Sequence, residues 1–76
     1  MTLETIREEL EIAVMPLLDG APAGQLLANQ VRMRCEATLQ RLRVRAKVEV
    51  LHGGQLVRVG LVDGDRVRSI FVHFEL

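Results

Sequence analysis

The feature that most constrains this chain is a change of period at Leu42. Upstream of it, Leu27, Val31, Cys35, Thr38, Leu39 and Leu42 fall at helical spacing on one apolar stripe. Downstream, Leu42, Val44, Ala46, Val48 and Val50 alternate without a break with Arg43, Arg45, Lys47 and Glu49. A stripe of period 3.6 buries one side of a helix, whereas period two makes a half-buried strand, because successive strand side chains point to opposite faces. A helix of about four turns therefore runs straight into a strand, and that strand needs partners for its backbone groups.

The rest of the chain supplies them. His52-Gly53-Gly54-Gln55 reads as a glycine-bearing turn, and Leu56 to Val62 as a second strand. Asp63-Gly64 then has the sequence that a two-residue type I′ hairpin loop prefers. A third strand, Val67 to Leu76, places Ile70, Val72, Phe74 and Leu76 on one face and Phe71, His73 and Glu75 on the other. Ahead of all this lies another helical stripe, Leu3, Ile6, Leu10, Ala13, Val14 and Leu17, with Thr2 suited to cap it and early glutamates suited to its dipole. Pro16 lacks an amide proton and restricts Met15, which predicts an end or kink near Val14 and a connection over residues 19–24. The expected fold class is α+β in the order α-α-β-β-β, one domain over residues 1–76, with both helices packed on one face of a small three-stranded antiparallel sheet.

A chain of 76 residues buries a core that rarely supplies more than about 3–5 kcal/mol. Leu, Ile, Val and Phe make up 27 of its residues, enough to fold, but extra stabilisation is expected. Disulfides cannot provide it, since Cys35 is the only cysteine, and one Cys with two His falls short of a structural zinc set. Association with another chain is the remaining source. The first turns carry Glu4, Glu8, Glu9 and Glu11 where a secretory leader would be basic. No apolar run approaches the ~20 residues that cross a bilayer, so the sequence alone gives a soluble, cytoplasmic protein with no membrane partner.

Charge is zero overall but unevenly placed. Residues 1–27 hold five acidic side chains against Arg7, a net charge of −4. Residues 28–50 hold six basic side chains against Glu36 and Glu49, a net charge of +4. Arg43, Arg45 and Lys47 at alternate strand positions form a basic face that a phosphate backbone could follow at about 7 Å spacing. Without Trp or Tyr there is almost no base-stacking platform, and charges that keep an outer strand from promiscuous pairing explain the ladder more simply.

Catalytic groups are not expected. Cys35 lies on an apolar stripe, as a small buried hydrophobe does. His52 opens a turn and His73 has no neighbouring ligand in sequence. Asp63 and Asp65 flank a hairpin tip more simply than they form an acid–base dyad, and the glycines at 20 and 24 lack the Gly-Lys-Ser/Thr ending of a phosphate loop. Neither a cofactor nor a metal site is expected.

In the order of its elements the whole chain resembles the carboxy-terminal domain of contractile phage-tail sheath proteins, and the related small baseplate proteins that start sheath assembly. The resemblance is carried by Val31 to Leu42, with Glu36-Ala37 and Leu39 three before Leu42; by Gly54 to Leu61, with its Val59-Gly60-Leu61 end; and by Ile70 to Leu76. It implies a non-enzymatic virion protein, located in a tail or baseplate, whose sheet is extended by strands from neighbouring subunits. That is β-augmentation, in which main-chain hydrogen bonds give affinity and alternate side-chain pockets give register. The expected partner-binding edges are Val44, Ala46, Val48 and Val50 on one outer strand and Ile70, Val72, Phe74 and Leu76 on the other. Almost nothing precedes the first helix and nothing follows the last strand, so on this reading the chain accepts strands and donates none, as a sheath initiator would. Two alternatives stay open: a small regulatory or nucleic-acid-binding protein using Arg43, Arg45 and Lys47, and a homodimeric adaptor pairing through sheet edges or through Leu26 and Met33.

Overall fold

Thr2 starts the first helix by accepting a hydrogen bond from the Thr5 amide on its hydroxyl (3.2 Å), which satisfies one of the amides a helix start leaves free. The computed structural model describes residues 2–20, 22–63 and 65–73; for Asp63 and His73 the description is limited to the backbone. Helix α1 spans Leu3–Leu18 and α2 spans Gln25–Arg41. Strands β1 (Ala46–Leu51), β2 (Leu56–Asp63) and β3 (Arg66–His73) follow as an antiparallel meander in the order β1-β2-β3. This is the α+β arrangement of two helices followed by three strands that the sequence predicts.

Ile6, Leu10 and Val14 of α1 and Leu27, Val31, Cys35 and Leu39 of α2 are buried against Val57, Val59 and Leu61 of β2 and Ile70 and Val72 of β3. Helix α2 lies along β1 and α1 lies on β3, both on the same face of the sheet. Thr38, the polar member of the α2 stripe, is buried at little cost because its hydroxyl donates to the Arg34 carbonyl at 2.8 Å. The Arg41 guanidinium donates to Glu9 Oε2 at 3.0 Å, so part of the charge separation along the chain is met by a pair joining the two helices.

Three local expectations are corrected. Helix α1 does not end near Val14: it runs on through Pro16 to Leu18. Pro16 and Ile12, the residue whose carbonyl loses its amide partner, both lie on the exposed side, where water can take up the free carbonyl. Continuing the helix also places Leu17 and Leu18 against the core. The period change at Leu42 is broader than a single residue. Leu42 caps α2, Arg43 takes a left-handed conformation (φ 58°), and β1 begins only at Ala46. The Arg43 amide donates to the Gln40 carbonyl (3.0 Å) and the Val44 amide to the Leu39 carbonyl (2.9 Å), a Schellman ending whose left-handed position glycine usually fills.

The hairpin register also differs. Asp63 pairs with Arg66, so the two intervening positions are 64 and 65 rather than 63 and 64; Gly64 itself lies outside the described residues. The observed register sets Val57 opposite Val72 and Val59 opposite Ile70. A loop at 63 and 64 would instead set Val59 opposite Arg68, so the buried apolar pairs choose the register over the turn sequence.

The β1–β2 turn is held by the start of α2, distant in sequence but in direct contact. Gly24 caps α2, and its amide donates to the Gly53 carbonyl at 2.9 Å. Gly53 and Gly54 have positive φ (64° and 104°), and a Cβ on either would come within 2.8 Å of its neighbour, the Gly24 nitrogen for Gly53 and Leu27 Cγ for Gly54. Both positions require glycine for conformation and for close approach.

Candidate functional site: two open sheet edges

An open meander has two borders, and hydrogen-bond parity decides which backbone groups each one presents. The Val62 amide donates to the Arg45 carbonyl at 3.0 Å, which makes these residues a bonded pair. Antiparallel alternation then makes Lys47 with Gly60 and Glu49 with Arg58 bonded pairs as well. The amides and carbonyls of Ala46, Val48 and Val50 therefore point away from β2. On β2, Val57, Val59 and Leu61 turn their backbone toward β3, where they meet Val72, Ile70 and Arg68. The outward groups of β3 are thus those of Val67, Ser69 and Phe71.

The residues expected at the edges are distributed accordingly. Ala46, Val48 and Val50 lie on β1 with outward backbone and half-buried side chains. Val44 lies before the strand, and its amide is already used by Leu39. Ile70 and Val72 are in the other outer strand, but their side chains are 5% and 1% exposed and their backbone faces β2. Phe74 and Leu76 lie outside the described residues. The basic face is also smaller than expected, since Arg43 turns off in the helix ending while Arg45 and Lys47 remain exposed.

The two faces of the sheet differ. Toward the helices, β1 presents only Ala46, Val48 and Val50, beside a groove of about 120 Å³ bounded by Glu36, Leu39, Gln40 and Val44 of the helical side. On the same face β3 presents Arg66 and Arg68 near the hairpin, both exposed, before the buried Ile70 and Val72. The opposite face has no helix over it among the described residues. It carries Lys47, Glu49 and Arg58 at one side and the exposed Val62, Val67 and Phe71 at the other. Glu49 and Arg58 are a cross-strand ion pair at 4.0 Å. Phe71 lies on the face opposite Ile70 and Val72, as the alternation predicts; parity and the exposed Val62 and Val67 are what sequence reasoning missed. The parity was within reach, because the apolar pairs Val57–Val72 and Val59–Ile70 fix the closing pair of the hairpin.

Cys35 is wholly buried on α2. Desolvation pushes its thiol up from 9.0 to about 12, with the Glu36 carboxylate adding in the same direction, so it stays a neutral packing group. Among the described residues, no three His, Cys, Asp or Glu side chains are grouped so as to hold a metal ion. No helix among them is long and apolar enough to cross a membrane. Compared with known proteins, the chain matches no family model, no curated protein and no solved structure.

Proposed function

We propose that this chain is a non-enzymatic structural protein whose open sheet accepts extended strands from neighbouring subunits. A phage tail or baseplate is the assembly in which it would act, where it would serve as a sheath initiator. The observation that carries the reading is the pair of borders left without a strand partner among the described residues: outward amides and carbonyls at Ala46, Val48 and Val50 on one side, and at Val67, Ser69 and Phe71 on the other. Exposed strand borders are templates for further pairing, and a chain this small gains from the apolar surface that such pairing covers. The virion setting comes from the likeness of the sequence to sheath domains and is part of the proposal.

The test mixes the purified chain with the extended-arm peptide of a contractile-tail sheath protein and follows amide exchange residue by residue. Slower exchange at either set of outward amides supports the reading; unchanged exchange at both, with no binding by calorimetry, rejects it. Salt separates it from a nucleic-acid role for Arg45 and Lys47, because phosphate binding weakens steeply as salt rises whereas backbone pairing with apolar contact does not.

A further inference from the structure

The two borders are not equivalent as acceptors. Natural sheets protect an edge by pointing charges inward, and β3 does so: Arg66 and Arg68 stand on its helix-side face, where the inward side chains of an added strand would have to sit. The corresponding positions of β1 are Ala46, Val48 and Val50, all apolar. They are half-buried, whereas Val57, Val59 and Val72 on the same face are almost completely covered. The groove beside them is bounded by Leu39, Val44, Ala46 and Val48 together with Glu36 and Gln40, and among the described residues no strand pairs with β1 on the side away from β2. The apolar layer is therefore finished at β3 and unfinished at β1.

Charge on the other face of β1 narrows the occupant further. Since Ala46, Val48 and Val50 supply the outward hydrogen bonds, Arg45, Lys47 and Glu49 take the non-bonded positions of any new antiparallel ladder. Facing side chains come closest at those positions, with Cα atoms about 4.5 Å apart. Glu49 already has Arg58 across β2 at 4.0 Å, while Arg45 and Lys47 are exposed cations with no ion-pair partner among the described residues.

We infer that β1 is the accepting edge and that its partner is an extended segment of alternating apolar and acidic residues, docked antiparallel with its apolar side chains toward α2 and its carboxylates opposite Arg45 and Lys47. The inference rests on the strand-acceptor reading and narrows it to one edge and one partner chemistry.

The probes are two capped heptapeptides, one alternating valine with glutamate and the other valine with lysine, added to the full chain. The glutamate peptide slows exchange at the Ala46, Val48 and Val50 amides and leaves Val67, Ser69 and Phe71 unchanged. It binds more tightly than the lysine peptide by roughly twofold to fivefold for each facing charge pair. Lys47→Glu reduces or reverses that preference, and Val48→Pro, which removes an outward amide, abolishes binding. Should Val48→Pro fail to fold, the Lys47→Glu comparison still decides, because Lys47 is exposed and outside the core. Protection at Val67, Ser69 and Phe71 instead would overturn the edge assignment while leaving strand acceptance standing. Equal binding of both peptides at β1 would overturn the acidic partner. Concentration-dependent protection of Ala46, Val48 and Val50 in the chain alone would make a second copy the occupant and overturn the inference, and no protection at either edge by these peptides or by the sheath arm would remove the acceptor reading as well.

Discussion

Strands β1 and β3 occupy equivalent places at the two sides of one small sheet, yet they are built for different loads. β3 gives its inward backbone and its Ile70 and Val72 side chains to the core, under α1. β1 gives its core only half-buried valines and an alanine, and it is positioned from outside, by the Schellman ending of α2 at its start and by the Gly24–Gly53 hydrogen bond beyond its end. One border thus holds the fold together, and the other is held in place by it. Burial alone would rank them in that order, and parity adds that the alternate residues of each strand have opposite duties.

The sharpest way to break this contrast is a pair of proline substitutions. Val72→Pro removes an amide that bonds to β2 and a fully buried side chain; leaving the buried carbonyl partner unpaired costs about 1–3 kcal/mol and the lost packing adds to it, enough to unfold a domain of this size by circular dichroism at 25 °C. Val48→Pro removes an amide that faces outward, and the variant should stay folded, as prolines at sheet edges do. Equal losses from the two would show that the hydrogen-bond parity is wrong. Next in size, Ile70→Ala should cost about 2–4 kcal/mol in urea titrations, and Val48→Ala clearly less because its side chain is already part-exposed. If Val48→Ala is the costlier, the apolar layer is complete at β1 after all.

Smaller effects test how β1 is held. Gly54→Ala places a Cβ 2.8 Å from Leu27 Cγ at φ 104° and should destabilise by roughly 1–3 kcal/mol, with faster amide exchange concentrated at the 51–56 end of the β1–β2 ladder. Arg43→Gly should act in the other direction. The left-handed conformation disfavours arginine by about 1–2 kcal/mol, and the greater freedom of glycine in the unfolded chain offsets part of that, leaving a gain of up to about 1 kcal/mol in unfolding free energy, read as a higher urea midpoint at unchanged slope.

Cys35 offers the mildest reading of the same contrast. Its folded value of about 12 lies above the ordinary 9.0, so the neutral thiol is favoured by folding. That contribution is full below pH 9 and is lost as pH rises from 9 toward 12, because the unfolded chain gives up the proton first. Unfolding curves at pH 8 and pH 10 should show the decline, and it should be absent in Cys35→Ala. At pH 8, thiol alkylation should be slow in the native chain and in Val48→Pro, and fast in Val72→Pro.

Much of this was legible in the sequence. Apolar spacing locates both helices and all three strands and puts Ile70 and Val72 on one face of the third strand, because burial repeats with the period of the element that makes it; that this is the face turned to the helices, shared with Val57 and Val59, is what the structure adds. What was not legible came from contacts distant in sequence or from competing local rules. Pro16 predicts an end or kink in α1, yet the helix continues to Leu18, because the packing of Leu17 and Leu18 prevails at a position where the lost hydrogen bond faces water. Asp63-Gly64 had the better turn sequence, but valine opposite valine decided the register. Arg43 looked like the first rung of a basic ladder because alternation continues through a turn as readily as through a strand, and only backbone geometry distinguishes the two. Of the candidate edge residues, Ala46, Val48 and Val50 turn their backbone away from β2, while Ile70 and Val72 lie in an outer strand with their backbone toward β2: period two gives side-chain faces but not the direction of the amides.

The link between Gly24 and Gly53 has a mechanical consequence. Together with the bonds that end α2, it fastens β1 to that helix near both of the strand's tips, so tension applied along the strand by a docked neighbour would pass into a 17-residue helix as well as into the ladder with β2. Rupture would then require shearing several hydrogen bonds at once instead of peeling them one after another.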